Sequence, residues 1–168
     1  MKKTAFFLSA VLGLSLASAC ANVPAVTPVG VVDHPEASPF DTDKTLVAQD
    51  AVDETLAASA ASGKHAMIVL GANWCHDSRA LAGWFETPRF EALLNEHYEV
   101  AYIDVGQKDR NIDVAQRFGL ESIVGTPTVL VVNADGVVLN LETAVTWRNS
   151  ASRTENSIFE AFARLAQG

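Results

Sequence analysis

A chain of 168 residues, almost half of them hydrophobic and 19% charged, is long enough for one domain with a sizeable core. Its formal charge of −8, with the only basic pair outside any mixed stretch at Lys2-Lys3, excludes nucleic acid and anionic lipid as electrostatic partners. The first residues carry the pattern of a secretory signal peptide over 1–19: a basic start, an apolar run from Ala5 to Leu16, and small residues at Ala17-Ser18-Ala19. That run is shorter than the roughly 20 residues a mature membrane-spanning helix needs. Cleavage would remove two of the 12 basic side chains and none of the 20 acidic ones, deepening the charge from −8 to −10.

Cys20 gives the signal two possible ends. Leu16-Ala17-Ser18-Ala19-Cys20 resembles a bacterial lipobox, which implies a lipidated Cys20 as the mature N-terminus, although Ala17 stands where lipoproteins usually carry leucine. Ordinary cleavage after Ala19 would leave a free Cys20 instead. Residues 20–44 hold Pro24, Pro28, Pro35 and Pro39, four of the six prolines, among small and polar residues without a period of 3.6 or 2. This segment reads as a Pro-rich linker that would hold a domain over 45–168 off the membrane. The expected localisation is therefore exported and periplasmic, with membrane attachment only through a lipid on Cys20.

Regular patterning begins near Thr45. Leu46, Val47, Ala51, Val52 and Leu56 share one helical face, and Gly63 stops that helix. Ala66–Leu70 is a continuous apolar run suited to a central buried strand. A helix is predicted from Cys75 through Trp84, with Trp84 and Phe85 as core aromatics, and Thr87 caps a second segment starting at Pro88. Tyr98–Val105 reads as a second buried strand, and Asn111 caps a short helix closed by Gly119. Thr128–Val132 and Val137–Leu141 flank Asn133-Ala134-Asp135-Gly136, a hairpin signal. A last amphipathic helix runs from about Arg153 to Leu165, with Ile158, Phe159, Phe162 and Leu165 inward. The order α-β-α-β-α-β-β-α implies an α/β fold with a mixed central sheet of about four strands and helices on both faces.

Ala72-Asn73-Trp74-Cys75-His76-Asp77-Ser78 leaves the first strand and enters a helix. Here the chain resembles the thioredoxin family, whose W-C-x-x-C motif occupies that junction. Gly125-Thr126-Pro127 before the third strand matches the family's second landmark, a cis-proline facing the active-site cysteine. The resemblance covers about residues 45–168 and implies a thioredoxin-like fold, Cys75 as redox nucleophile, and a substrate groove shaped by Thr126 and Pro127.

The residues support part of that on their own. A thiol at a helix start faces unpaired N–H groups and the positive end of the helix dipole, which favour its nucleophilic thiolate form. His76, if protonated, acts in the same direction, and Asp77 opposes it. Ser78 is spaced to donate a hydrogen bond to the sulfur.

Two departures limit the resemblance. Ser78 replaces the resolving cysteine, so Cys75 cannot close a disulfide within the motif. Val69 replaces the buried acid that thioredoxins keep six residues before the cysteine. The expected activity is thiol–disulfide exchange or isomerisation by a single cysteine, on protein or glutathione disulfides, with release by an outside thiol or one on the substrate. The alternative is a non-catalytic adaptor or chaperone-like module of the cell envelope using the same groove for peptides. A third arrangement brings an unlipidated Cys20 back to Cys75 as a distant resolving thiol.

The pattern calls for no cofactor and no metal, because Cys75, His76 and Asp77 on one turn do not all converge as a soft-metal site. His34 in the linker and His65 and His97 at element edges are assigned solvated or capping roles. Lys108-Asp109-Arg110 reads as an exposed turn of mixed charge. Trp147, in the polar stretch Thr146–Asn149, is assigned to packing.

Overall fold

The apolar run predicted at 66–70 is the centre of the molecule. In the computed structural model, which describes residues 33–168, it forms β1 (His65–Gly71), which pairs in parallel with β2 (Tyr98–Asp104) and antiparallel with β3 (Thr128–Val132). The sheet is mixed, in the order β2-β1-β3. Side chains that alternate along a strand face opposite sides of a sheet. Met67, Val69, Val129 and Val131 thus enter one core, and Ile68, Leu70 and Leu130 the other.

Helices cover both faces. On the first, α2 (His76–Phe85), α3 (Pro88–His97) and α5 (Glu155–Leu165) supply Leu81, Phe85, Phe90, Leu93, Ile158 and Phe162. On the second, α1 (Ala48–Ser62) and α4 (Ile112–Arg117) supply Val52 and Val114. A 3-10 helix, Ala144–Ser152, kinks at Asn149 and carries Trp147 into the first core. Trp147 stacks on Phe162 at a centroid separation of 4.3 Å, the packing role expected of it.

The fourth strand does not form. Beyond the turn at Asn133–Gly136, the segment 137–141 keeps a single bridge, Val132 to Val138. Asn140 takes over the rest of the edge with its side chain: Oδ1 accepts from the Val131 amide at 2.8 Å and Nδ2 donates to the Val129 carbonyl at 2.8 Å. A carboxamide carries one acceptor and one donor group, as a peptide unit does, so it can cap an edge without an extended strand.

Cap chemistry also differs from expectation. Val47 is the N-cap of α1, and Leu46 and Val47 lie outside that helix with more than half of their surface exposed. Thr87 precedes α3 as expected, but its hydroxyl donates back to the Trp84 carbonyl rather than capping forward. Asn111 donates to the Asp104 carbonyl at 2.7 Å, and its side chain accepts nothing from the α4 amides. Phe85 is buried, while Trp84 is half-buried.

The described part of the segment read as linker has no helix or strand, yet it is not a free tether. Ala37 and Phe40 are buried, the Ala37 amide donates to the Arg79 carbonyl at 3.1 Å, and Asn73 exchanges hydrogen bonds with both backbone groups of Phe40. A Cβ on Gly83 would collide with the Pro35 carbonyl, so the strap lies directly on the α2 backbone. The packed body therefore begins some ten residues before Thr45. A proline-rich composition signals lost helix and strand, but it does not report burial. The signal peptide, Cys20 and the first half of the linker lie outside the described residues.

Candidate functional site

Cys75 sits between the end of β1 and the start of α2. Its backbone is extended (φ −83, ψ 120), its amide donates to the Ala72 carbonyl, and its carbonyl accepts the first helical bond from Arg79. It is therefore the N-cap of α2, one residue before the predicted helix start. Among the described residues it is the one free cysteine. The residue is 8% exposed, and its thiol donates to the Thr126 backbone carbonyl at 3.3 Å. The Thr126–Pro127 peptide bond is cis, as the resemblance implied. Thr126 and Pro127 are themselves buried, so the sulfur and the proline loop meet largely out of solvent.

The other motif residues diverge from Cys75. Ser78 is fully buried, and its oxygen accepts from the Ala72 amide at 3.5 Å; the hydrogen bond expected from it to the sulfur is not formed. Asp77 accepts from the Ala151 amide at 2.9 Å, which fastens the start of α2 to the 3-10 helix. His76 points outward, with Nε2 3.5 Å from Glu36 Oε1. Trp74 is 49% exposed and donates through Nε1 to the Gly106 carbonyl at 2.7 Å. The residue types are those read in the sequence, but only Cys75, Thr126 and Pro127 converge.

The receiving loop for Trp74 is held by a part-buried ion pair. Asp104 Oδ2 accepts from Arg110 at 2.8 Å and from the Gly106 amide at 3.2 Å. Gly106 has φ +56, a left-handed conformation suited to glycine. Arg110, assigned from the sequence to an exposed turn, thus anchors the loop that positions Trp74. On the opposite side, the Arg148 side chain packs against the backbone of Gly125.

Sequence reasoning missed Asn73, Arg79 and Glu36. Arg79 donates to both carboxylate oxygens of Glu36 at 3.2 Å, and its guanidinium holds the Glu36 carboxyl below the usual carboxylate range. No local pattern joins Glu36 to residues some 40 positions further on. Val69, in place of the family's acid, is buried among Met67, Phe85 and Val129 as part of an apolar core.

Comparison with known proteins agrees with this geometry. A family model described as thioredoxin-like matches residues 47–134. The chain belongs to the thioredoxin-like family. Among solved structures, it is similar to a disulphide isomerase from Xylella fastidiosa Temecula1, with 34% identity and a TM-score of 0.70. That alignment covers 77% of this chain and 97% of the other. A thioredoxin from Thermus thermophilus aligns at 20% identity and a TM-score of 0.50, over 67% of this chain and 82% of its own, a likeness of fold alone. None of the curated proteins compared matches the chain.

Proposed function

We propose that the protein is an exported, single-thiol member of its family that exchanges or isomerises disulfides through Cys75. The observation that carries this reading is the Cys75 thiol at the N-cap of α2, hydrogen-bonded to Thr126 in the proline loop. Similarity to the disulphide isomerase of Xylella fastidiosa Temecula1 supports the same reaction class. The Cys75 thiolate attacks one sulfur of a substrate disulfide, forming a mixed disulfide and releasing the other sulfur as a thiolate. Attack by a substrate thiolate on the mixed disulfide then frees Cys75 and leaves a rearranged disulfide, with no net oxidation or reduction. When no substrate thiol is in reach, glutathione thiolate attacks the substrate sulfur of the mixed disulfide, freeing Cys75 and leaving a glutathione–substrate disulfide.

Ser78 and Val69 favour isomerisation over net reduction, because the motif holds neither a resolving thiol nor a buried carboxylate. Trp74 and the Thr126 backbone form the walls of the groove for an extended peptide. Export follows from the signal pattern at 1–19, with a lipid on Cys20 as the anchor to the bacterial envelope.

The test is refolding of a scrambled-disulfide substrate in a glutathione buffer. Acceleration by the wild type and not by Cys75→Ala supports the proposal, and equal rates for the two overturn it. Equal rates with peptide binding retained in Cys75→Ala would establish the adaptor reading. Mass spectrometry of the mature N-terminus reads lipidation directly: a diacylglyceryl group on Cys20 supports the anchor, and a free thiol there refutes it.

A further inference from the structure

The strap that packs on α2 carries two side chains towards the helix start. His34 and Glu36 flank Pro35 in the strap, and both reach the helix start. There they meet His76, the residue after Cys75. One ligating atom from each of the three lies within 4.8 Å of the others, and the two imidazole rings have centroids 4.7 Å apart.

We propose that His34, Glu36 and His76 bind a divalent transition ion of the zinc class, an imidazole–imidazole–carboxylate site that fastens the strap to the active-site helix.

The donor set is that of zinc sites with three protein ligands and an open fourth position. Ligands of one tetrahedral ion lie about 3.3 Å apart, given metal–ligand bonds of about 2.0–2.2 Å. His76 Nε2 and Glu36 Oε1 are already 3.5 Å apart, so closure asks only for small rotations of exposed side chains. The surroundings supply the outer contacts that metal ligands generally have. His34 Nδ1 lies 3.3 Å from the Pro35 carbonyl. A carbonyl only accepts, so a hydrogen bond here requires the Nδ1–H tautomer, whose Nε2 lone pair is free for an ion. Arg79 grips the Glu36 carboxylate and orients it, while a carboxylate retains further lone pairs for a metal. The strap is itself fixed by Ala37 on Arg79 and by Pro35 on Gly83, so His34 and Glu36 arrive with their backbone already placed.

Zinc binding does not rest on the thiol chemistry proposed for Cys75, and the test separates the two. Zinc chloride is titrated calorimetrically into the reduced full chain. The expected result is one saturable site, weakened about tenfold or more in each of His34→Ala, His76→Ala and Glu36→Gln, and unchanged in Cys75→Ser and His97→Ala. Thermal melting gives a second readout: zinc raises the Tm of the wild type but not of the three ligand variants, whose melting in chelator matches the parent. Absence of saturable binding overturns the proposal. So does binding that survives the three ligand substitutions, or that disappears in Cys75→Ser, which would assign the ion to the thiol.

Discussion

The Cys75 thiol and the Thr126 carbonyl are joined by a 3.3 Å hydrogen bond across 51 positions of sequence. This contact brings the thiol to the proline loop, and Cys75 is nearly covered in the resting protein. Incubation with oxidised glutathione is expected to add one glutathione to the peptide containing residue 75, and Cys75→Ala removes that adduct. The loss of one neutral hydrogen bond costs no more than about 1.5 kcal/mol, so the urea midpoint of the variant moves little. A large drop in stability would instead mark Cys75 as a packing residue.

Ser78 occupies a fully buried position in the first turn of α2, three residues beyond Cys75. Placing a thiol there restores the spacing that closes a disulfide across this turn. Oxidised Ser78→Cys is expected to lose two titratable thiols and regain them on reduction. Persistence of both thiols under oxidant would show that the α2 turn differs from the family's geometry.

Gly83 is where the strap touches the helix, and a methyl group there would collide with Pro35. Gly83→Ala should displace the strap, with a cost of about 1–3 kcal/mol. Limited proteolysis is expected to cut between 33 and 44 in the variant well before it cuts the parent. Equal cleavage rates would argue that the strap is not held at this point.

Asn140 satisfies two backbone groups of β3 that a fourth strand would otherwise pair. Asn140→Ala leaves a buried N–H and a buried carbonyl without these partners, at a cost of about 2–4 kcal/mol. Chemical denaturation measures this, and a change below 1 kcal/mol (about one net hydrogen bond) would contradict the edge-capping role.

His65 is half-buried, not solvated, and Nδ1 has no hydrogen-bond partner. Burial lowers its pKa, protonated His97 lowers it further, and a hydrogen bond with the Ala166 backbone opposes both. Between the folded and unfolded values the unfolded chain binds more protons. The contribution of His65 to stability therefore falls as pH drops below about 6.5 and levels off once both states are protonated. The Tm of His65→Gln should decline less than that of the parent between pH 8 and about 5.5. Identical slopes would remove His65 from the pH response.

Much of the architecture was legible because it depends on local pattern. The run Ala66–Leu70, buried on both faces, could only be a central strand, and Trp74-Cys75 followed by Gly125-Thr126-Pro127 placed the site. The hairpin turn formed as read, but its second strand shrank to one bridge because Asn140 competes with its own backbone for the edge of β3, a choice no period-2 pattern encodes. The linker failed in part because Ala37 and Phe40 bury against residues that lie far along the chain. Thr87 and Asn111 were the right residue types at the right boundaries, yet each spends its side chain on a preceding carbonyl.

The sequence by itself determined the order of elements, since that follows from hydrophobic spacing and turn chemistry within short windows, while Cys75 and the proline loop were located by the resemblance to the thioredoxin family. Only the tertiary structure decided what faces the sulfur and what surrounds it. It turned Ser78 to the Ala72 amide, Asp77 to Ala151 and His76 to the strap, where His34 and Glu36 wait beside it. Those outcomes depend on which backbone groups the folded chain leaves unpaired nearby, and that is fixed by long-range packing, not by neighbours in sequence.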